Sequence, residues 1–257
     1  MFYVIQKNTF RQVNYDSLVN ALERLELEYE VIDCLPFTEE VDCITERKDV
    51  FVFGSVKLAT LATKKNWKPG SFYGNNHDYL IYGKYYKDNL LNCDSEIYQL
   101  TDKLDWYPYE VKFIRPTKDT KIFNGGLFTK TKWEDELLYA TSALNEYNKE
   151  DNFIQVAKPK RIYKEARLWI INGKIITSSY YLFNGLAQYE EDIEPEGLEF
   201  AKLMVNFYQP AEAFVMDVCF TPDGWKIIEL NCINCSGFYK GDIQKLLIAL
   251  EQHFTNK

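Results

Sequence analysis

Histidine is scarce in this sequence: His77 and His253 are the only two, and they lie far apart. An imidazole-based catalytic triad is therefore not expected, because such a site needs a histidine poised beside a nucleophile. Long hydrophobic runs are missing as well. Nothing approaches the roughly 18–20 apolar residues that a membrane span requires. The opening MFYVIQKNTF has too short an apolar stretch for a secretory signal and no basic leader. The expectation is a cytoplasmic protein that does not enter membranes. Positive charge is in deficit: 30 Lys and Arg face 38 Asp and Glu, for a formal net charge of −8, and no Lys/Arg-rich block stands out. Nucleic-acid binding through phosphates is thereby disfavoured. Six cysteines (34, 43, 93, 219, 232 and 235) are too scattered for a disulfide framework and read as reduced thiols. Cys232 and Cys235 form a lone C-x-x-C with no second Cys/His pair at zinc-finger spacing. Repeats and low-complexity tracts are absent too.

What is present is an ordinary globular balance, 46% hydrophobic and 26% charged over 257 residues. A chain of this size builds two or three lobes around connected cores. Its first third alternates strand and helix patterns. FYVIQ (2–6) reads as a buried strand, and residues 16–29 carry Leu18, Leu22, Leu25 and Tyr29 on one helical stripe. EYEVID (28–33) and DVFVF (49–53) are further strands, and Ser55 is placed to cap a helix over 56–66. This β-α-β order favours a parallel sheet. Residues 67–100, with Gly, Pro, Asn and many Tyr, read as a connector. From about 108 the pattern changes. EVKFIRP (110–116) is a strand ending at proline, and an Asn-Gly-Gly turn sits within 122–129. Thr131 and Glu134 form a capping box for a helix to about 148. A strand follows at 153–159, then a hairpin, EARLWII-NG-KIITSSYYL, whose Asn172-Gly173 suits a type I′ turn. A helix at 195–208 precedes a second hairpin, AFVMDVCF-TPDG-WKIIELN. The last helix starts near Asp242, its N-cap.

The second hairpin is the most informative segment. Folded about Pro222-Asp223-Gly224, it sets positions summing to about 446 opposite each other. Asp217 then faces Glu229, and Asn231 shares a face with Glu229, while Phe214, Met216, Val218 and Phe220 turn to the core. Like charges directly across a strand pair repel. A divalent cation would compensate them, since two carboxylates and an amide oxygen are hard donors suited to Mg²⁺; a solvated hairpin face would also tolerate them. Without metal their repulsion is expected to be uncompensated, so that Asp217→Asn or Glu229→Gln would leave the apo protein as stable or slightly more so. Glu165 and Arg167 share a face of the first hairpin, either as a surface ion pair or as functional groups. Arg115, Lys121 and the Asn124-Gly125-Gly126 turn could together hold phosphate oxygens.

In combination these pieces resemble the ATP-grasp superfamily. The carriers are F-I-R-P, a lysine with a glycine turn, a strand near 154–158, E-A-R-L-W-I-I-N-G-K, and M-D-V…I-I-E-L-N. In that family's usual grammar the first strand ends K-P. Here its lysine is replaced by Arg115, as in the clade named for two conserved arginines and one lysine, common in phage and bacterial genomes. G-F-Y at 237–239 and G-S…W-K-P-G at 54–70 resemble that clade as well. The resemblance implies an α/β protein: a Rossmann-like preceding domain with the connector (1–105), then an ATP-grasp body (106–257) with a small lobe at about 106–160 and a large lobe at about 161–257. ATP and one or two Mg²⁺ ions would be its cofactors, with Asp217, Glu229 and Asn231 as metal ligands. Arg115 and Lys121 would contact phosphates. Gln155, Val156, Ala157 and Lys158 would line the adenine, Lys158 facing the base or the α-phosphate. Arg167 would reach the γ-phosphate or an acyl-phosphate, and Glu165 would orient it or touch a ribose or substrate group.

The family's usual reaction is ATP-dependent joining of a carboxylate to an amine, with Arg115, Arg167 and Glu165 as the catalytic set and small-molecule or peptide substrates. A phosphotransferase, or a nucleotide-binding effector that contacts a partner protein, are the alternatives. If phage-encoded, the protein would work in the host cytoplasm.

Overall fold

A computed structural model describes residues 1–9, 12–33, 43–118, 122–147 and 152–255. Its opening strands form the expected parallel arrangement. β1 (Phe2–Gln6) lies between β2 (Tyr29–Ile32) and β3 (Val50–Phe53), parallel to both. All four residues of β3 are buried, as the unbroken apolar run VFVF requires of a strand covered on both faces. The helix α1 (Gln12–Arg24) ends earlier than its leucine stripe suggested. Glu26 takes a φ of 54° and the Leu27 N–H donates to the Leu22 carbonyl at 3.0 Å, a left-handed helix stop that releases Tyr29 into β2. Ser55 stands at the N-cap of α2 (Val56–Lys64) but does not cap it; its hydroxyl donates to Gln6 Oε1 at 2.7 Å instead.

Residues 67–100 hold more structure than a connector. α3 (Tyr79–Tyr86) is capped by Asp78, which accepts from the Leu80 N–H at 2.9 Å. Its sequence, YLIYGKYY, is apolar nearly all round, so no helical stripe was legible. β4 (Glu96–Gln99) then joins β5 (Lys112–Pro116), β6 (Gly126–Phe128) and β7 (Phe153–Ala157) in an antiparallel sheet of order β4-β7-β5-β6. Against it packs α4 (Lys130–Tyr147), through Trp133 and Ala140 onto Ile114, Phe128 and Ile154. This helix starts one residue before the expected capping box. Thr131 is therefore inside it, and Thr129 Oγ1 instead accepts from Lys132 N–H at 3.5 Å.

The largest sheet is antiparallel, of order β10-β9-β8-β11-β12. β8 (Lys164–Ile171) and β9 (Lys174–Phe183) meet at Asn172 (φ 48°) and Gly173 (φ 72°), the paired left-handed residues of a type I′ turn. β10 (Leu186–Glu191) follows a second such turn at Asn184-Gly185. Its six exposed residues gave no burial pattern to read. β11 (Ala213–Thr221) and β12 (Gly224–Cys232) complete the sheet. α5 (Pro195–Phe207) covers one face through Ala201, Met204 and Val205, packed against Phe214, Met216 and Val218. α6 (Ile243–Phe254), capped by Asp242 as expected, covers the other together with α1.

The parallel sheet and the large sheet share one core. Tyr3, Ile5, Phe51 and Phe53 pack in the same cluster as Trp169, Ile171, Val215 and Phe238. Asn234, wholly buried, ties the two: its Nδ2 donates to the Val52 carbonyl at 2.7 Å, and its Oδ1 accepts from Phe72 N–H at 2.8 Å. No helix among the described residues is long and apolar enough to cross a membrane.

Candidate nucleotide and metal site

The register of β11 on β12 places Asp217 directly opposite Glu229, and Val215 opposite Asn231. A bulge between Asp217 and Val218 shifts the pairing by one nearer the turn, so the expected pairing holds at the acids. On its other side Asp217 is in register with Arg167 of β8. Arg167, Asp217 and Glu229 thus form one row across three strands. Arg115, at the end of β5, reaches this row from the smaller sheet and pairs with Glu229.

These contacts correct the expectation of an uncompensated acid pair. Arg167 grips Asp217 with two hydrogen bonds, Nε to Oδ1 and Nη2 to Oδ2, both 2.8 Å. Asp217 is 1% exposed and Arg167 8%, so this is a buried, bidentate pair. Asn231 Nδ2 donates to Asp217 Oδ2 at 3.3 Å. The neighbouring carboxylates are driven apart in pKa. Burial pushes Asp217 up, against the pull of Arg167, and the Glu229 charge adds to the rise. Burial also raises Glu229, but Arg115, Asn231 and Arg167 outweigh it and hold its carboxyl at about 2. Glu165 is raised, first by burial, against a hydrogen bond from the Tyr181 hydroxyl at 3.0 Å, with the other two carboxylates adding to the rise.

A cavity of about 340 Å³ opens over this row. Arg115, Glu165, Arg167, Glu229 and Asn231 line it, so five of the expected site residues converge; Asp217 lies beneath. Gly125 also lines it, and a Cβ there would fall 2.7 Å from the Arg115 Cβ, so only glycine lets the turn close over this arginine. Lys121 lies outside the described residues, whereas Lys118, to which the sequence pattern drew no attention, is on the wall. Gln155, Val156 and Ala157 are buried in β7, an interior strand, and neither they nor exposed Lys158 line this cavity. Tyr181 was missed too; the single signal for it was its place on β9, the strand paired with the Glu165 arm. Cys235 and Ser236 line the wall, and the cysteines among the described residues are free thiols.

The donor set suits a hard divalent cation. Among the described residues no group of three or more His, Cys, Asp or Glu gathers that could hold a metal. Asp217 and Glu229 would therefore need the Asn231 amide oxygen as third protein donor, an all-oxygen set that fits Mg²⁺.

The family model that matches the chain, over residues 56–250, describes an ATP-grasp domain: family 3 of the clade named for two arginines and one lysine. No curated protein matches the sequence. Among solved structures, the D-alanine–D-alanine ligase from Bacillus anthracis in complex with ATP is 12% identical, with a TM-score of 0.61 covering 98% of this chain and 95% of that one. The same ligase in a second crystal structure gives a TM-score of 0.58 at 12% identity, covering 99% and 93%. The ATP-grasp ligase PsnB complexed with a minimal precursor is 13% identical, with a TM-score of 0.55 covering 98% of each chain.

Proposed function

The chain belongs to the third family of the two-arginine, one-lysine clade of ATP-grasp domains, and from that membership we propose that it is an ATP-dependent ligase joining a carboxylate to an amine. One observation supports this above the others: Arg115 from one sheet and Arg167, Asp217, Glu229 and Asn231 from another converge on a single cleft. Solved structures that share the fold include ligases, one bound to ATP and another to Mg and ADP. We read residues 1–105 as a Rossmann-like preceding unit and 106–257 as the ATP-grasp body, with lobes at about 106–160 and 161–257. In this reading β4, although it lies within the first 105 residues, completes the small-lobe sheet.

Arg115 and Lys118 hold phosphate oxygens, and Lys121 is proposed as a further phosphate contact. Arg167 faces the γ-phosphate, and Glu165, positioned by Tyr181, orients the acid. The adenine is assigned to the edge where β7 ends, at Ala157 and Lys158. The acid's carboxylate oxygen bonds to the γ-phosphorus as the bond to the bridging oxygen breaks and ADP leaves. The amine nitrogen then bonds to the acyl carbon, phosphate departs, and the nitrogen gives up its proton. No side chain need become covalently attached; the protein contributes placement and charge neutralisation. Mg²⁺, held by Asp217, Glu229 and Asn231, would neutralise the phosphate oxygens when bound.

An ADP-release assay over paired acids and amines tests the proposal. Release that needs both substrates supports a ligase. Release without an amine points to a phosphotransferase, and Mg·ATP binding with no turnover to an effector.

A further inference from the structure

A second cavity, of about 630 Å³, adjoins the first and shares Tyr181 and Cys235 with it. Its walls include Leu182, Ala187 and three tyrosines. Tyr239 lies stacked between Tyr181 (centroids 4.9 Å) and Tyr189 (5.6 Å). Among the described residues no carboxylate lines this cavity, and the one charged wall residue is Lys240. Arg167 stands at the junction. Its guanidinium lies 5.0 Å from the Tyr239 ring centre, and its Nη1 donates to the carbonyl of Gly237, another wall residue, at 3.3 Å.

This distribution of charge selects between the two substrates of a ligation. Among the described residues an ammonium group would meet Lys240 on this wall and no carboxylate. A carboxylate would be drawn to Lys240 on the wall and, at the junction, toward the Arg167 guanidinium above its Asp217 partner, while an apolar substituent would be buried among the rings and Leu182. We propose that this cavity seats the carboxylate substrate, and that this substrate carries a large, apolar, uncharged side chain, as an aromatic amino acid or the C-terminal residue of a peptide would. The proposal rests on the ligase reading for its orientation: the carboxylate points through the junction to Arg167 and the side chain lies away from the phosphates.

Ligand-observed NMR on the full chain, with and without Mg·ATP, tests it using N-acetyl-phenylalanine, phenylalanine, N-acetyl-aspartate and phenethylamine. N-acetyl-phenylalanine or phenylalanine should bind about tenfold or more tightly than N-acetyl-aspartate and phenethylamine; the tighter of the two identifies a peptide terminus or a free amino acid. Ala187→Trp, which fills the wall from an exposed strand, should weaken that binding about tenfold, and so should Lys240→Glu. In both variants the thermal shift given by Mg·ATP should equal the parent's. Equal binding of the acidic probe or the amine, or unchanged binding in Ala187→Trp, would overturn the assignment while a retained Mg·ATP shift leaves the ligase reading standing. Loss of the Mg·ATP shift in the parent would instead remove the ligase reading, and acid binding measured without nucleotide would still decide who occupies the cavity.

Discussion

Asp217 and Arg167 show how one buried contact reverses an argument from charge alone. Facing carboxylates repel, but here each is matched by an arginine, so removing a carboxylate strands a cation. Breaking a buried pair by deleting one partner costs about 3–5 kcal/mol. Asp217→Asn should lower apo stability by that order in urea denaturation, and it should abolish the Mg·ATP thermal shift. A variant of unchanged stability would show that the pair contributes nothing net. For Glu229 the pH dependence follows from its sign. A carboxyl held at about 2, against an ordinary 4.5, contributes stability that is complete above 4.5 and is lost as pH falls toward 2. The stability gap between the parent and Glu229→Gln, measured in metal-free buffer, should therefore shrink between pH 5 and about pH 2.5. A gap that stayed constant across that range would contradict the depressed value.

Turns and short strands carry the site's geometry. Gly125 sits where a Cβ would meet Arg115 at 2.7 Å, so Gly125→Ala should displace the arginine. The expected result is loss of most of the Mg·ATP thermal shift, with apo melting changed by only a few degrees; a full shift would mean the turn adapts. The β8–β9 turn makes a contrasting case. Gly173 has a φ of 72°, and an added Cβ would approach the Gln209 amide at 3.3 Å. Gly173→Ala should cost about 1–2 kcal/mol of stability. It lies at the far end of the hairpin from Glu165, so nucleotide binding should be unaffected.

Between the sheets, the Arg115–Glu229 pair joins the proposed phosphate contact to the proposed metal ligand. Each must leave the other to take up its proposed partner. Mg²⁺ and ATP should then bind with positive coupling, because whichever arrives first frees a group for the second, and the effect must be reciprocal. Titration calorimetry should show ATP binding tightened severalfold by Mg²⁺ in the parent. In Glu229→Gln, Mg-free ATP should bind at least as tightly as to the parent, and Mg²⁺ should add little. Additive binding in the parent would show that the pair does not act as a latch.

Patterns confined to a few neighbouring residues were open to reading from the chain alone. The Asn172-Gly173 turn, the Asp217–Glu229 register, the parallel β-α-β start and the Asp242 cap each follow from spacing and backbone preference, which act over short distances. The family, too, was legible, because its motifs keep their order along the chain. Folding settled what depends on distant partners. Ser55 makes no cap because Gln6 Oε1, remote in sequence, takes both its backbone N–H and its hydroxyl and so fixes where that side chain lies. Residues 96–99 become a strand because β7 presents an open edge. The two acids are compatible neighbours because Arg115 and Arg167 arrive from other strands. Burial makes those long-range pairings strong: in a low-dielectric interior an unpaired charge costs more than a local propensity can offset.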